Sequence, residues 1–224
     1  MVVTGASRGL GRALAEGFAA QGCRVAATAT SLERVEGTLG RMRAQGAQCH
    51  GVALDLGDLA SVADAASQVV AALGRIDVLV NSASLLGVRS ALADHRLDTW
   101  EAVMAVNVTG TLALTQALLP AMVQGGAIIN VTSGAAGRPG WGAYGISKLA
   151  LEGMTTVLRD ELRDAGIRAV AVNPGPVRTA MRAAAYPSED PATVPHPSSV
   201  VAPFIAIAQG LDPGPRIDAA QWAP

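Results

Sequence analysis

Tyr144 and Lys148 stand four residues apart in the stretch Tyr-Gly-Ile-Ser-Lys, and Lys148 is the only lysine among seventeen Lys and Arg residues. On a helix, positions i and i+4 share a face, so this stretch aims a phenol and an ammonium at one small volume. A phenol titrates near ~10, and a close cation favours its phenolate, moving it toward the range useful for general acid or base work. Every other cation in the chain is arginine. A retained lysine therefore implies a need that the planar guanidinium does not meet, namely a compact charge with three rotatable donors. A half-buried tyrosine beside a helical surface lysine would show the same spacing, so the pair alone leaves catalysis and packing both open.

A second cluster with chemical meaning is Thr4-Gly5-Ala6-Ser7-Arg8-Gly9-Leu10-Gly11. It falls between an apolar run and a helical one. Glycines there permit a tight turn and close backbone approach to a pyrophosphate, while the helix N-terminus offers free N–H groups and the positive end of its dipole. The GxxxGxG spacing is only a moderate signal of a dinucleotide site, because many strand-to-helix turns use glycine. At the end of the next strand, an NAD site wants a carboxylate for the ribose 2′-hydroxyl; here Ala29-Thr30-Ser31 stands instead. Arg8 with the Thr30 and Ser31 hydroxyls suits a 2′-phosphate, which favours NADP(H) over NAD(H) while leaving NAD(H) possible. Thr30-x-x-Glu33 also reads as a capping box opening the following helix.

The elements that must position these groups follow from periodicity. Short β-branched or apolar runs predict strands near Val2–Thr4, Arg24–Ala29, His50–Asp55, Ile76–Asn81, Ala127–Thr132, Ile167–Asn173 and Arg216–Asp218. Ala- and Leu-rich segments with helical spacing predict helices over Leu10–Gln21, Leu32–Gln45, Leu59–Leu73, Leu97–Val123, Ala143–Asp164 and Ser199–Gln209. Strands apolar on both faces, joined by right-handed crossovers, make a Rossmann-type doubly wound parallel α/β sheet of about seven strands, with helices on both sides. The alternation runs almost to the end, so the expectation is one domain over 1–224. Seven prolines between Pro174 and Pro203 interrupt the rhythm. A segment of this kind, here 175–203, is expected to be a substrate-binding loop.

Composition narrows the function classes. Half the residues are hydrophobic, 16% are charged, and the formal net charge is -1. The arginines are scattered, which argues against nucleic acid or a polybasic membrane contact. No apolar stretch is expected to reach membrane-spanning length, no charged leader precedes Thr4, and a cytoplasmic location is expected. Cys23 and Cys49 form no metal or disulfide pattern, and His50, His95 and His196 lie far apart, so no metal is expected.

Together the glycine loop, Asn81-Ser82-Ala83, Asn107, Ser133, Tyr144-x-x-x-Lys148 and Pro174-Gly175 resemble the short-chain dehydrogenase/reductase family, and most of all its NADP-dependent ketone and aldehyde reductases. The resemblance spans nearly the whole chain. It implies that Tyr144 exchanges a proton with the carbonyl or alcohol oxygen, that Lys148 lowers the phenol pKa and holds ribose hydroxyls, that Ser133 orients the carbonyl, and that Asn107 anchors a water path to the lysine. Thr132, beside Ser133, is an alternative hydroxyl. It also implies cofactor contacts from Gly5, Ser7, Arg8, Gly9, Leu10 and Gly11, and from Thr30 and Ser31. Further contacts are implied at Asp55 and Leu56, at Asn81 and Ala83, and at Pro174, Gly175, Val177 and Thr179. Ser84 occupies a position where the family has glycine.

Trp141, Met181, Tyr186, Leu85 and Leu86 suggest an apolar substrate pocket, with Arg178 and Arg182 leaving room for an acidic tail. The expected activity is hydride transfer between NADPH and an aldehyde or ketone, the substrate and partner being a small carbonyl or alcohol. The alternative is a catalytically silent NADP(H)-binding regulatory or scaffold protein of the same fold. The long helices imply a homodimer or homotetramer.

Overall fold

The computed structural model describes residues 1–222. Seven strands, β1 (Val2–Val3), β2 (Val25–Ala29), β3 (Cys49–Ala53), β4 (Ile76–Asn81), β5 (Met122–Val131), β6 (Arg168–Asn173) and β7 (Arg216–Asp218), form one sheet in the order β3-β2-β1-β4-β5-β6-β7. Every pairing is parallel. This is the doubly wound Rossmann-type arrangement that the alternation predicts. Side chains alternate between faces. Val3, Ala27, Val80 and Ile129 pack under α1 (Gly9–Ala20), α2 (Leu32–Ala44) and α8 (Ala202–Ala208), whereas Val2, Ala26 and Leu79 pack under α3 (Leu59–Leu73) and α5 (Thr111–Leu118). Ile128 and Ala169 face Leu158 of α6 (Gly142–Glu161). Because both faces are covered, the strands read as nearly continuous apolar runs.

The strand order reverses between β1 and β4, the place in such a sheet where a crevice for a ligand forms. Each predicted strand is present, although β5 starts five residues before the predicted Ala127. The single helix expected over Leu97–Val123 is instead divided: α4 (Leu97–Met104) leads through a π turn at Ala105–Gly110 into α5, and a 3-10 turn at Leu119–Ala121 ends the run. Pro120 accounts for the early stop, since it lacks the N–H that an α-helical turn requires. The register shift between Ile76 and Val78 lets Met122 pair at the start of β5.

By length and composition the run Leu97–Ala121 could cross a membrane, with a mean hydropathy of 1.5, which corrects the expectation that no stretch reaches that length. Here α4 packs on α6 and α5 on α3. The proline-rich segment contains a helix that the sequence does not announce, α7 (Ala180–Ala185), followed by 3-10 turns at Pro191–Thr193 and Pro197–Val200.

Candidate active site

A cavity of about 480 Å³ fills the crevice, running from the glycine loop past the end of β2 to α6 and α7. Its floor at one end is backbone. Gly5 has φ 67° and lies so close to Ala83 that a Cβ would come within 2.8 Å of the Ala83 Cα, while a Cβ on Gly11 would meet the Gly5 carbonyl oxygen at 2.3 Å. Side chains at these two positions would force the β1 turn, the β4 turn and α1 apart. Thr4 holds two of those parts together: its hydroxyl oxygen accepts from the Ser82 and Ala83 N–H groups at 2.9 Å each. The N-cap of α1, Arg8, makes no side-chain cap, and no acidic residue occupies the first turn. That helix end therefore presents open N–H donors and a positive dipole to the cavity.

At the β2 end, Thr30 and Arg8 line the cavity as expected, together with Arg34, which the sequence reading missed. Ser31 does not line it. Its hydroxyl is the N-cap of α2, accepting from the Arg34 N–H at 3.4 Å, so the cap sits one residue later than the expected Thr30–Glu33 box. This register turns Arg34, rather than Glu33, toward the crevice. Asp55 and Leu56 form the adjoining wall, and one Asp55 carboxylate oxygen is engaged by the Gly57 N–H at 2.8 Å.

Two other expected cofactor or catalytic residues also lie behind the wall. Asn81 is 4% exposed and spends its amide on Asn130 Oδ1 at 2.8 Å and Thr115 Oγ1 at 3.2 Å. As the last residue of β4 it points into the helix layer, leaving Ser82 to Leu86 to line the cavity. Ser84 costs no backbone strain, for no described non-glycine residue has a positive φ. Asn107, in the π turn, accepts from the Leu85 N–H at 2.7 Å and donates to Leu85 O and Ser147 Oγ at 2.9 Å each. Its side chain thus clamps the Leu85 loop to Ser147 of α6, the residue before Lys148.

Ser133, Tyr144 and Lys148 do meet on the cavity wall. The Ser133 side chain acts on the Tyr144 phenol to favour its ionised form, while its hydroxyl oxygen accepts from the Ala135 N–H at 3.1 Å. Thr132, the alternative hydroxyl, also lines the cavity, but its hydroxyl is spent on Glu152 Oε1 at 2.7 Å. Lys148 is 2% exposed and donates to the Val131 carbonyl at 2.9 Å, with its nitrogen 5.6 Å from the Tyr144 ring centre. Burial without a carboxylate partner draws the ammonium down to about 7. The phenol moves opposite to the expectation. Desolvation pushes its pKa above the ordinary tyrosine value, and the neighbouring Ser133 side chain offsets only part of that. Burial, not the charge of Lys148, sets the direction of the phenol's shift.

Beyond the phenol the cavity becomes apolar, walled by Trp141, Leu85, Leu86, Met181 and Tyr186. The Trp141 ring lies 5.9 Å from Tyr144 and 5.8 Å from Tyr186. Arg182 reaches the cavity, but Glu189 neutralises it through two hydrogen bonds of 2.7 and 2.6 Å, and its guanidinium stacks on Tyr186 at 3.7 Å. Arg178 does not line the cavity. The far wall is Pro174, Gly175, Val177 and Thr179, and Thr179 is also the N-cap of α7.

A glycine cradle beside a buried phenol and lysine at the switch point of a parallel sheet points to an oxidoreductase. The family description short chain dehydrogenase matches residues 1–190. This chain belongs to the short chain dehydrogenase family. Among its relatives, the uncharacterized oxidoreductase YciK of Escherichia coli K12 is 36% identical over 208 residues, covering 90% of this chain and 82% of the relative. The D-threitol dehydrogenase of Mycolicibacterium smegmatis is 36% identical over 182 residues, covering 80% of this chain and 70% of its own. Among solved structures, a short chain dehydrogenase from Escherichia coli CFT073 complexed with NADPH superposes with a TM-score of 0.90 at 34% identity, covering 97% of this chain and 95% of that one. One from Shigella flexneri 2a complexed with NADP gives 0.91 at 33% identity, covering 98% and 95%.

Proposed function

We propose that this short chain dehydrogenase is an NADP(H)-dependent reductase of aldehydes or ketones with an apolar body, using Tyr144 as the acid. The observation that carries the reading is the Tyr144 phenol, set with Ser133 and Lys148 in the wall of a cavity that continues into the glycine cradle. The residues present fit the cofactor. The cradle leaves no room for Cβ atoms at Gly5 and Gly11, and Arg8 and Arg34 line the cavity where a 2′-phosphate would lie, with no carboxylate at the end of β2. Structure neighbours complexed with NADP and NADPH support the same choice.

When bound, the nicotinamide supplies the hydride. The chain's own residues would then handle the proton and the carbonyl. Ser133 holds the substrate oxygen beside the phenol, and Tyr144 gives it the proton. A phenol whose pKa is raised keeps that proton at neutral pH, which favours the reducing direction. Lys148 would donate to the ribose hydroxyls and return a proton toward the phenol. The apolar wall and the neutralised Arg182 favour an uncharged substrate over one with an acidic tail.

We also propose that the chain acts as a homodimer or homotetramer, because Leu97, Leu149 and Val157 on α4 and α6 are exposed at 76%, 49% and 54%. Titrating the protein with NADPH and NADH and following reduced-nicotinamide fluorescence tests the cofactor reading. Tight, salt-sensitive NADPH binding with weak NADH binding supports it. Preference for NADH would remove the phosphate-site argument, and binding of neither would remove the enzyme reading.

A further inference from the structure

Glu152, Arg216 and Asp218 lie outside the cavity, yet they join its two walls. Glu152 follows Lys148 by one helical turn, so Tyr144, Lys148 and Glu152 share a face of α6. One Glu152 carboxylate oxygen accepts from Thr132 Oγ1 at 2.7 Å and from Arg216 Nε at 2.9 Å. Arg216 Nη1 donates to Asp218 Oδ2 at 3.2 Å. The other Asp218 oxygen accepts from Asn173 Nδ2 at 2.6 Å, and Asn173 Oδ1 in turn accepts from the Gly175 N–H at 3.1 Å. The 3-10 turn after β7 (Ala219–Gln221) backs the same place, since a Cβ on Gly175 would stand 3.0 Å from the Ala220 Cβ.

An unbroken run of hydrogen bonds therefore starts next to Ser133, crosses α6 and β7, and ends on the Pro174-Gly175 turn. Arg216 and Asp218 lie outside the residues that the family description matches. Most of the links involve a charged group, which makes each shorter and stronger than a neutral hydrogen bond.

We infer that Glu152, Arg216 and Asp218 are positioning residues that set the spacing between the Ser133–Tyr144 wall and the Pro174-Gly175 wall, and hence between the carbonyl and the nicotinamide. The inference rests on the function proposed above. Hydride transfer demands near-contact geometry, and a displacement of about 1 Å can cost on the order of 100-fold in rate. Without Asp218, Asn173 loses the partner that orients it, and the Gly175 N–H loses a fixed acceptor.

The test compares wild type with Asp218→Ala, Arg216→Gln and the conservative Asp218→Asn, which keeps an acceptor for Asn173. NADPH affinity is read by fluorescence, turnover with 4-nitrobenzaldehyde as the probe, and the deuterium isotope effect on kcat with 4-deuterated NADPH. Melting temperature is followed in parallel. Asp218→Ala is expected to weaken NADPH binding by roughly fivefold, as for the loss of one hydrogen bond. It is also expected to lower kcat by about tenfold or more with a larger isotope effect, since a misaligned hydride makes that step limiting. Asp218→Asn should restore most of the affinity, and Arg216→Gln should fall between. Lower melting temperatures with wild-type affinity, kcat and isotope effect would overturn the inference and leave the strap merely structural. Should 4-nitrobenzaldehyde not be turned over, the NADPH affinities decide alone. Failure of wild type itself to bind NADPH would overturn the proposed function and this inference together, whereas wild-type binding with unaltered variants sinks only the inference.

Discussion

Arg34 shows how one side chain acquires a role from the register around it. Ser31 caps α2, and the capped register brings Arg34 to the cavity beside Arg8. Two guanidiniums facing one phosphate form charge-assisted hydrogen bonds worth more than neutral ones. Arg34→Ala is expected to weaken NADPH binding about tenfold while leaving NADH nearly unchanged, and the NADPH loss should shrink as salt rises. Equal losses for both nucleotides, measured by fluorescence titration, would place Arg34 outside a phosphate site.

The same scale carries a pH prediction. Tyr144 holds its proton to above the ordinary tyrosine value, so the reduction rate is expected to stay flat through pH 9 and to decline only above about 10, where the acid is lost. A decline centred near neutral pH in the kcat profile would assign the proton to another group.

At the scale of elements, α6 is the piece whose placement decides the proposed chemistry, because it carries both Tyr144 and Lys148. Its N-terminus is held by His95, whose Nε2 accepts from the Ala143 N–H at 3.4 Å, with the other ring nitrogen 2.6 Å from Ser90 Oγ. Gly142, at φ 48°, presses on that ring so closely that a Cβ would lie 2.4 Å from it. Gly142→Ala is expected to destabilise the fold by roughly 1–3 kcal/mol through backbone strain and the clash, lowering the melting temperature. It should lower kcat as well, since Tyr144 is two residues away.

Strands and helices were legible in the sequence because buried parallel strands and amphipathic helices leave different periods. The Tyr144-x-x-x-Lys148 spacing likewise foretold two groups on one helix face. What sequence could not give was direction. Nothing in Asn81 says that its amide turns toward Thr115 of the helix layer, nothing in Asn107 that its amide binds the Leu85 loop, and nothing in Thr30-Ser31 which hydroxyl caps α2. The helix α7 is hidden among prolines, and the apolar helical period continues across Pro120 even though the α-helix stops before it. The sign of the Tyr144 shift depends on burial, which spacing does not encode.

Across the whole molecule, stability and the proposed function pull against each other at Lys148. Its folded pKa near 7 lies below the ordinary 10.5, so the unfolded chain binds the proton more tightly. The destabilisation is fully present below pH 7, amounts to a few kcal/mol by the usual conversion, and is relieved as pH rises toward 10. The protein without nucleotide is therefore expected to melt higher at pH 9 than at pH 6.5. Lys148→Met should flatten that rise and raise the melting temperature at pH 6.5 while abolishing turnover. A Lys148→Met protein with the wild-type pH dependence would show that the lysine is not desolvated in solution.

The most direct test of the proposed chemistry is NADPH consumption by Tyr144→Phe set against wild type, with NADPH binding measured on the same samples. The account predicts that wild type oxidises NADPH in the presence of an aldehyde or ketone. The variant should lose about 100-fold or more in kcat with its NADPH affinity unchanged. Turnover surviving the loss of the phenol would contradict it.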